Sequence, residues 1–171
     1  MRKLVLLCFF IAAFANPVSA DSEQQYSLIT ASFSYHLFPP GDHHEYFSNR
    51  LVAVTRDTDI IPYMDRLILG TLSNSSGNQC LMLGAGRDWK KIDQKIKFVS
   101  VYAYVGEFVA DSFAECADDG IYQDIDNIVG LGFAPYIYHG INYNLVHELS
   151  INGGLILPGV VSFTLEYSFL K

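Results

Sequence analysis

The sequence has few cysteines, the residues that cross-link small secreted domains through disulfides. It contains three cysteines in 171 residues, so a dense disulfide framework is excluded. After residue 20, no apolar run reaches the roughly 20 residues that a membrane-spanning helix requires. No segment carries a helical apolar stripe, and no internal repeat is present. The sequence therefore predicts neither a helical membrane protein, nor a solenoid, nor a disulfide-rich scaffold.

Basic residues are also scarce, because 11 Lys and Arg face 18 Asp and Glu, for a net charge of −7. After residue 20, every basic residue except Lys171 lies between Arg50 and Lys97. None accompanies the acidic block from Glu107 to Asp126. Because binding to a nucleic-acid backbone needs clustered Lys and Arg, no nucleic-acid partner is expected. The acidic block is either a solvated loop or a divalent-cation site at a lipopolysaccharide surface, since hard cations take carboxylate oxygens.

Residues 1–20 have the order of a secretory signal peptide. Arg2 and Lys3 precede an apolar run, and Val18-Ser19-Ala20 supplies small residues at its end. We therefore predict a signal peptide at 1–20 and a single β-barrel domain at 21–171. In an exported chain Cys80 and Cys116 have only one possible pairing, and both a disulfide and two free thiols fit the sequence.

Eight strand-like segments recur in the mature chain, each followed by turn chemistry. The turns include His139-Gly140 and Asn152-Gly153-Gly154. An even number of such segments after a signal peptide predicts an all-β fold, an eight-stranded antiparallel up-and-down outer-membrane β-barrel, which leaves no unpaired edge. The predicted strands are Leu28–Leu37, Arg50–Arg56, Arg66–Ser73, Gln79–Asp88, Ile96–Ala110, Ile128–Tyr138, Asn142–Ile151 and Val160–Leu170.

The last segment alternates with a period of two. Val161, Phe163 and Tyr167 fall on one face, and Ser162 and Glu166 fall on the other. A soluble lipid-binding barrel would place the apolar face inside, whereas an outer-membrane barrel would place it against lipid. The aromatic fraction of 14% suits interfacial girdles and favours the membrane. The segment from residue 98 to residue 105 is apolar on both faces, which fits either a packed interior or an acyl-chain pocket.

With both chain ends on the periplasmic side, alternate connections face outward. His36 then adjoins the first outer loop and Asn74-Ser75 forms the second, at the tip of a hairpin around the Asn74-Ser75-Ser76-Gly77 turn. These residues therefore share one rim. The glycines at 84 and 86 in the following strand predict a bend or a close approach. The basic residues gather at the periplasmic turns: Arg56, Arg66, Arg87, Lys90, Lys91 and Lys95.

On these residues the sequence resembles the outer-membrane lipid A palmitoyltransferases called PagP. That family has a His at the end of the first strand, an Asp-Ser pair in the second outer loop and a Gly-x-Gly on the descending strand. Here His36, Asn74-Ser75 and Gly84-Ala85-Gly86 match, and Tyr46 and Asn49 look like the family's first-loop Tyr-Asn with shifted spacing. Asn74 replaces the family's Asp, which removes a carboxylate beside the histidine. The family's N-terminal helix is also missing.

The resemblance implies acyl transfer from a phospholipid to lipid A. His36 would be the base, since its unperturbed pKa is near neutral. Ser75 would be a nucleophile or an oxyanion donor, and Asn74 would orient His36 or donate to the oxyanion. On residues alone, an ordinary polar turn and a rim histidine are favoured over a catalytic site, and the spacing shared with the family makes the two interpretations equal.

Three functions follow from the sequence. The first is a lipid A acyltransferase, the second a non-catalytic outer-membrane barrel for envelope stability or surface binding, and the third a soluble lipid-binding barrel. We expect a monomer in the bacterial outer membrane, with phospholipid and lipopolysaccharide lipid A as partners. No cofactor and no metal is expected. Adjacent side chains in Asp42-His43-His44-Glu45 diverge, which disfavours a zinc site there.

Overall fold

The computed structural model describes residues 25–38, 46–107, 111–117, 123–124, 127–128 and 132–169. Within them no helix is long and apolar enough to cross a membrane. The predicted signal peptide, residues 1–20, and the predicted cluster Asp42 to Glu45 lie outside these ranges. The elements are β1 (Tyr26–His36), β2 (Tyr46–Phe47), β3 (Val52–Asp57), β4 (Arg66–Ser73), β5 (Gln79–Lys91), β6 (Ile96–Gly106), a 3₁₀ helix (Asp111–Ala117), β7 (Phe133–Asn144), β8 (Leu149–Ile156) and β9 (Val160–Phe169).

The sheet closes on itself as a barrel. From β3 onward each strand pairs antiparallel with the next, β1 pairs with β3, and β9 returns to pair with β1. The last pairing runs from Tyr26 opposite Phe169 to His36 opposite Val160. The two-residue β2 adds to the upper part of β1. The barrel wall therefore has eight antiparallel strands, and the predicted up-and-down barrel is confirmed.

We call the end that carries Tyr26 and Phe169 the lower end, and the end that carries His36 and Val160 the upper end. The turns 58–65, 92–95 and 145–148 lie at the lower end. The connections after β1, β4, β6 and β8 lie at the upper end, and the connection after β6 contains the 3₁₀ helix. The connections that follow His36 and Ser73, which were predicted to share one rim, therefore lie at the same end of the barrel.

The predicted boundaries between residues 128 and 156 are wrong. The expected turn at His139-Gly140 lies inside β7, and Asn152-Gly153-Gly154 lies inside β8. The glycines mark a close approach and not a turn, because a Cβ at Gly140 would fall 2.6 Å from Cζ of the inward-facing Tyr138 ring. The real turn is Leu145 to Glu148. The strands predicted at 128–138 and 142–151 therefore correspond to β7 (Phe133–Asn144) and β8 (Leu149–Ile156).

Side chains alternate between the lumen and the outer face of the wall. In β9, Ser162 and Glu166 are 2% and 4% exposed, whereas Phe163 and Tyr167 are 50% and 46% exposed. Since successive residues of a strand point to opposite faces, the polar residues face the lumen and the aromatic ones face outward. The same rule places many exposed large side chains outside: Phe33, Tyr35, Phe98, Tyr104, Ile141, Tyr143, Phe163 and Tyr167.

The lumen has two different halves. Its upper half is filled by what we call the upper apolar cluster, in which Ile68, Met82 and Val105 pack from three neighbouring strands. Its lower half contains charged and amide side chains from β4, β5, β6, β7, β8 and β9. The full upper apolar cluster consists of Leu51, Ala53, Ile68, Leu72, Cys80, Met82, Ala103, Val105 and Cys116.

Candidate functional site

The three predicted site residues lie at the upper end, as expected from the loop order. His36 is the last residue of β1, half-buried, and its Nε2 atom is buried. Asn74 and Ser75 begin the turn after β4. Asn74 is 5% exposed, whereas Ser75 is exposed to solvent.

Asn74 uses both ends of its amide within the upper loops. Its Oδ1 accepts hydrogen bonds from the backbone N–H groups of Ser76 at 3.0 Å and Asn78 at 2.9 Å. Its Nδ2 donates to the carbonyl oxygen of Cys116 at 3.0 Å. The first two bonds are the local side-chain to backbone pattern typical of Asn in turns. The hydrogen bonds seen among the described residues do not link Asn74 to His36, and the catalytic roles stay a prediction.

The contact with Cys116 belongs to a larger attachment of the 3₁₀ helix. Cys80, at the start of β5, and Cys116 form a disulfide with Cα atoms 5.1 Å apart, and both residues are fully buried. Of the two possibilities that the sequence left open, the structure contains the bridge. The backbone N–H of Ala117 also donates to Oε1 of Glu107 at 3.3 Å. The 3₁₀ helix is therefore fixed over the upper apolar cluster by three links.

The lower half of the lumen contains an ion-pair network that the sequence did not reveal. Arg66 donates from one guanidinium nitrogen to Glu166 at 2.8 Å and from the other to Asp88. Lys97 reaches the second oxygen of Asp88 at 2.6 Å. Two cations and two anions thus neutralise one another. We call these four residues the lower ion-pair network.

Two asparagines extend this network along β7 and β8. Asn152 donates to Oε2 of Glu166 at 3.1 Å, and Nδ2 of Asn142 lies 2.9 Å from Oδ1 of Asn152 and 2.8 Å from the hydroxyl of Ser150. Asn142 is 1% exposed and Asn152 is 6% exposed. Buried charges and amides of this kind are stable only with such partners. These side chains occupy the lower half of the lumen.

A cavity of about 40 Å³ lies between the lower ion-pair network and the upper apolar cluster. Ile29 and Tyr136 line its apolar side, and Tyr138, Ser162 and Glu166 line its polar side. A water needs about 10–15 Å³ of such volume, so the cavity suits a few waters. Pockets for drug-sized ligands measure about 300–1,000 Å³. Of the two interiors left open by the sequence, a cavity of this size among the described residues favours the packed one.

Among the described residues, no group of three or more His, Cys, Asp and Glu side chains is placed to hold a metal ion. In the acidic block, Glu115 and Asp124 are exposed. Glu107 is engaged with the backbone of the 3₁₀ helix. His147 and Glu148, which were predicted on a strand, lie exposed in the turn between β7 and β8.

No family model and no curated protein matches the chain. Among solved structures, its fold is similar to a chain from a study of de novo designed transmembrane β-barrels. The TM-score is 0.50 and the sequence identity is 14%, over 88% of this chain and 98% of that chain. At this identity the similarity establishes the fold and nothing about activity. The chain is an eight-stranded antiparallel β-barrel with the fold of a transmembrane barrel.

The sequence contained one signal for the lower ion-pair network. Glu166 is the single acidic residue on the polar face of β9, and in a membrane barrel that face points inward. Its partner Arg66 is 100 residues away, and the local sequence predicts that residue beside a periplasmic turn. Pairing the two requires the register of the closed barrel, which no local pattern supplies.

Proposed function

We propose that the chain is a bacterial outer-membrane β-barrel with a closed lumen, which stabilises the envelope or presents its upper loops to a surface partner. One observation carries this proposal. Phe163 and Tyr167 of β9 are exposed outside while Ser162 and Glu166 are buried inside. In β9 an apolar face thus points outward and a polar face points into the lumen, which is the arrangement of a membrane barrel and the reverse of a soluble lipid-binding barrel.

Aromatic placement and the length of most strands support the membrane assignment. A spanning strand needs about 9–11 residues; β1, β5, β6, β7 and β9 contain 10 to 13, whereas β3, β4 and β8 contain 6, 8 and 8. Outward aromatic rings lie towards both ends, with Tyr104 packed edge-on against Phe133 above and Tyr26 stacked on Phe169 below. Such rings favour the two membrane–water interfaces.

The filled lumen argues against a pore and favours a structural role. An open porin has a water-filled channel, whereas this lumen contains the upper apolar cluster, a cavity of about 40 Å³ and the lower ion-pair network. Above it, the disulfide between Cys80 and Cys116 fastens the 3₁₀ helix. A barrel of this kind offers a rigid frame for its upper loops.

Acyl transfer to lipid A is the second candidate. It is favoured by the common position of His36, Asn74 and Ser75 at the upper end, together with the resemblance to PagP. Two observations weigh against it. The Asn74 amide is engaged by its own loop and the Cys116 carbonyl, and the cavity has little room for a long hydrocarbon chain.

Fractionation and lipid A analysis test both functions. The membrane proposal expects the native protein in the outer-membrane fraction and a faster-migrating unboiled form on gels. Recovery in the soluble periplasmic fraction would overturn it. Mass spectrometry of lipid A from cells with and without the protein then separates the two candidates. An added acyl chain that is lost in a folded His36→Ala variant would establish the acyltransferase, and unchanged lipid A supports the non-catalytic barrel.

A further inference from the structure

Arg87 occupies an unusual position on the outer wall of the lower end. It alternates with Gly86 and Asp88, which face the lumen, so its side chain points outward. Its guanidinium carbon lies 4.2 Å from the centre of the Trp89 ring and 5.7 Å from the centre of the Tyr63 ring. Both distances are within cation–π range. Two aromatic rings thus hold one cation on the face that the proposed function places at the membrane.

Hydrogen bonds fix the Trp89 ring. The indole Nε1 donates to the hydroxyl of Ser100 at 2.7 Å, and that hydroxyl lies 2.7 Å from Nδ1 of His139. Arg87, Ser100 and His139 stand opposite one another on β5, β6 and β7. This row of outward polar groups orients the indole, so the ring does not need to be ordered by a ligand.

The turn 58–65 places Tyr63 beside Arg87. Backbone N–H of Asp65 donates to the Gly86 carbonyl at 2.9 Å, and the Asp65 carboxylate accepts from the backbone N–H of Asp88 at 2.7 Å. Tyr63 itself has a φ of 67°, in the left-handed region that costs a bulky residue free energy. The turn therefore holds Tyr63, which is 79% exposed, beside Arg87 against its local preference.

The pairing of Arg87 differs from that of the two basic residues in the lower ion-pair network. Arg66 and Lys97 are paired with carboxylates in the lower ion-pair network, whereas no carboxylate within the described ranges lies within ion-pair distance of Arg87. Ring contacts engage the flat face of a guanidinium and leave its N–H edge available. That edge matches the oxygen spacing of a phosphate and binds it with two parallel hydrogen bonds.

We propose that Arg87, held by Trp89 and Tyr63, binds the phosphate of a phospholipid headgroup at the lower membrane interface. This inference rests on the proposed function, because it requires the outer wall of the barrel to meet lipid. Headgroup phosphates lie at the depth where interfacial Trp and Tyr rings are found. A lipid bound there would fix the barrel's depth on the side of its short turns.

The single tryptophan of the chain makes the site measurable, since all indole emission comes from Trp89. The full-length mature protein in dodecyl maltoside micelles is titrated with dioleoylphosphatidylglycerol. Dioleoylglycerol, which has the same chains without phosphate, and inorganic phosphate are titrated in parallel. We expect a saturable emission change with the phospholipid and none with the other two. An equal response to dioleoylglycerol would overturn the phosphate contact, and an equal response to inorganic phosphate would overturn a lipid ligand.

Two variants test the residues. Arg87→Gln should weaken phospholipid binding by about tenfold or more, the worth of one charge-assisted hydrogen bond. Lys95→Gln removes the same charge from an exposed position at the same end and should leave the affinity within about twofold if the effect is local to the cation–π site. Equal losses in both variants would mean general charge attraction and would overturn the site. Should Arg87→Gln fail to fold, Tyr63→Leu in the exposed turn replaces it and should also weaken binding.

Flotation with phospholipid vesicles separates this inference from the proposed function. Protein that does not float with the vesicles contradicts the membrane barrel itself. Protein that floats, but whose Trp89 emission responds equally to lipids with and without phosphate, retains the membrane barrel and loses the headgroup site.

Discussion

Replacing Glu166 by Gln tests whether the lower ion-pair network stabilises the barrel. The change keeps the side-chain volume and removes the negative charge from a residue that is 4% exposed. It removes the charge from the acceptor of the hydrogen bond that Arg66 donates at 2.8 Å. A charge-assisted bond of this kind is worth about 1.5–3 kcal/mol. The change also turns an N–H group towards Nδ2 of Asn152, which now donates to Glu166 at 3.1 Å. A buried donor left without an acceptor costs about 1–3 kcal/mol more.

These two contributions sum to about 2.5–6 kcal/mol, and the measured range for breaking a buried pair from one side is about 3–5 kcal/mol. Because Arg66 keeps its second partner, Asp88, we expect the low end, about 3 kcal/mol. The assay is urea unfolding of the vesicle-reconstituted protein, followed by Trp89 fluorescence. Glu148→Gln is the matched control, since Glu148 is exposed in a turn and its replacement should change the unfolding free energy by less than about 0.5 kcal/mol.

A double-mutant cycle with Arg66→Met gives the sharper result. If the two residues act through each other, the double variant should lose at least about 1.5 kcal/mol less than the sum of the single losses. A loss below about 1 kcal/mol for Glu166→Gln, or strict additivity in the cycle, would refute the argument. The network would then be a consequence of the closed barrel and not a cause of its stability.

Three further changes probe the wall and the upper loops. Leu165→Arg, at an outward mid-strand position of β9, should cost about 2–4 kcal/mol in urea unfolding from vesicles if that face meets lipid; a cost near zero would contradict the membrane face. Gly84→Ala would bring a Cβ within 2.5 Å of the Tyr102 carbonyl oxygen, so we expect a loss of about 1–3 kcal/mol from overpacking, and an unchanged midpoint would count against the close approach of β5 and β6. Asn74→Asp should cost about 1–3 kcal/mol and speed proteolysis near Cys116, because a carboxylate cannot donate to that carbonyl; protection equal to the wild type would contradict this role.

The barrel was predictable because its strands carry strong local patterns. In β9, aromatic and hydroxyl residues alternate with a period of two, and the predicted limits differ from the observed ones by a single residue. The hairpin of β4 and β5 was equally well marked by the Asn74 to Gly77 turn. Where the prediction is wrong, at Gly140 and Gly154, the missing side chains make room for the Tyr138 ring inside the barrel. Glycine is found both in turns and where a ring packs against the backbone, and only the pairing of β7 with β8 distinguishes the two cases here.

The lower ion-pair network was not predictable in the same way. Its members are separated by up to 100 residues, and Arg66, Asp88 and Lys97 each resemble a surface charge beside a turn. Gly86 contributes to it, because a Cβ there would fall 2.8 Å from Cγ of Arg66, and its absence lets the arginine side chain enter the lumen. The sequence predicted a close approach at this glycine without naming what approaches.

Asn74 illustrates how one residue type supports two functions until its partners are known. In the resemblance to PagP, an amide in place of a carboxylate is a departure that would weaken catalysis. In the structure the amide has a structural role, since Oδ1 accepts from two turn N–H groups and Nδ2 donates to the Cys116 carbonyl. A carboxylate satisfies the first requirement and fails the second, because it has no hydrogen to donate. The contact with the 3₁₀ helix therefore explains an asparagine at this position, whether or not His36 acts as a base in acyl transfer.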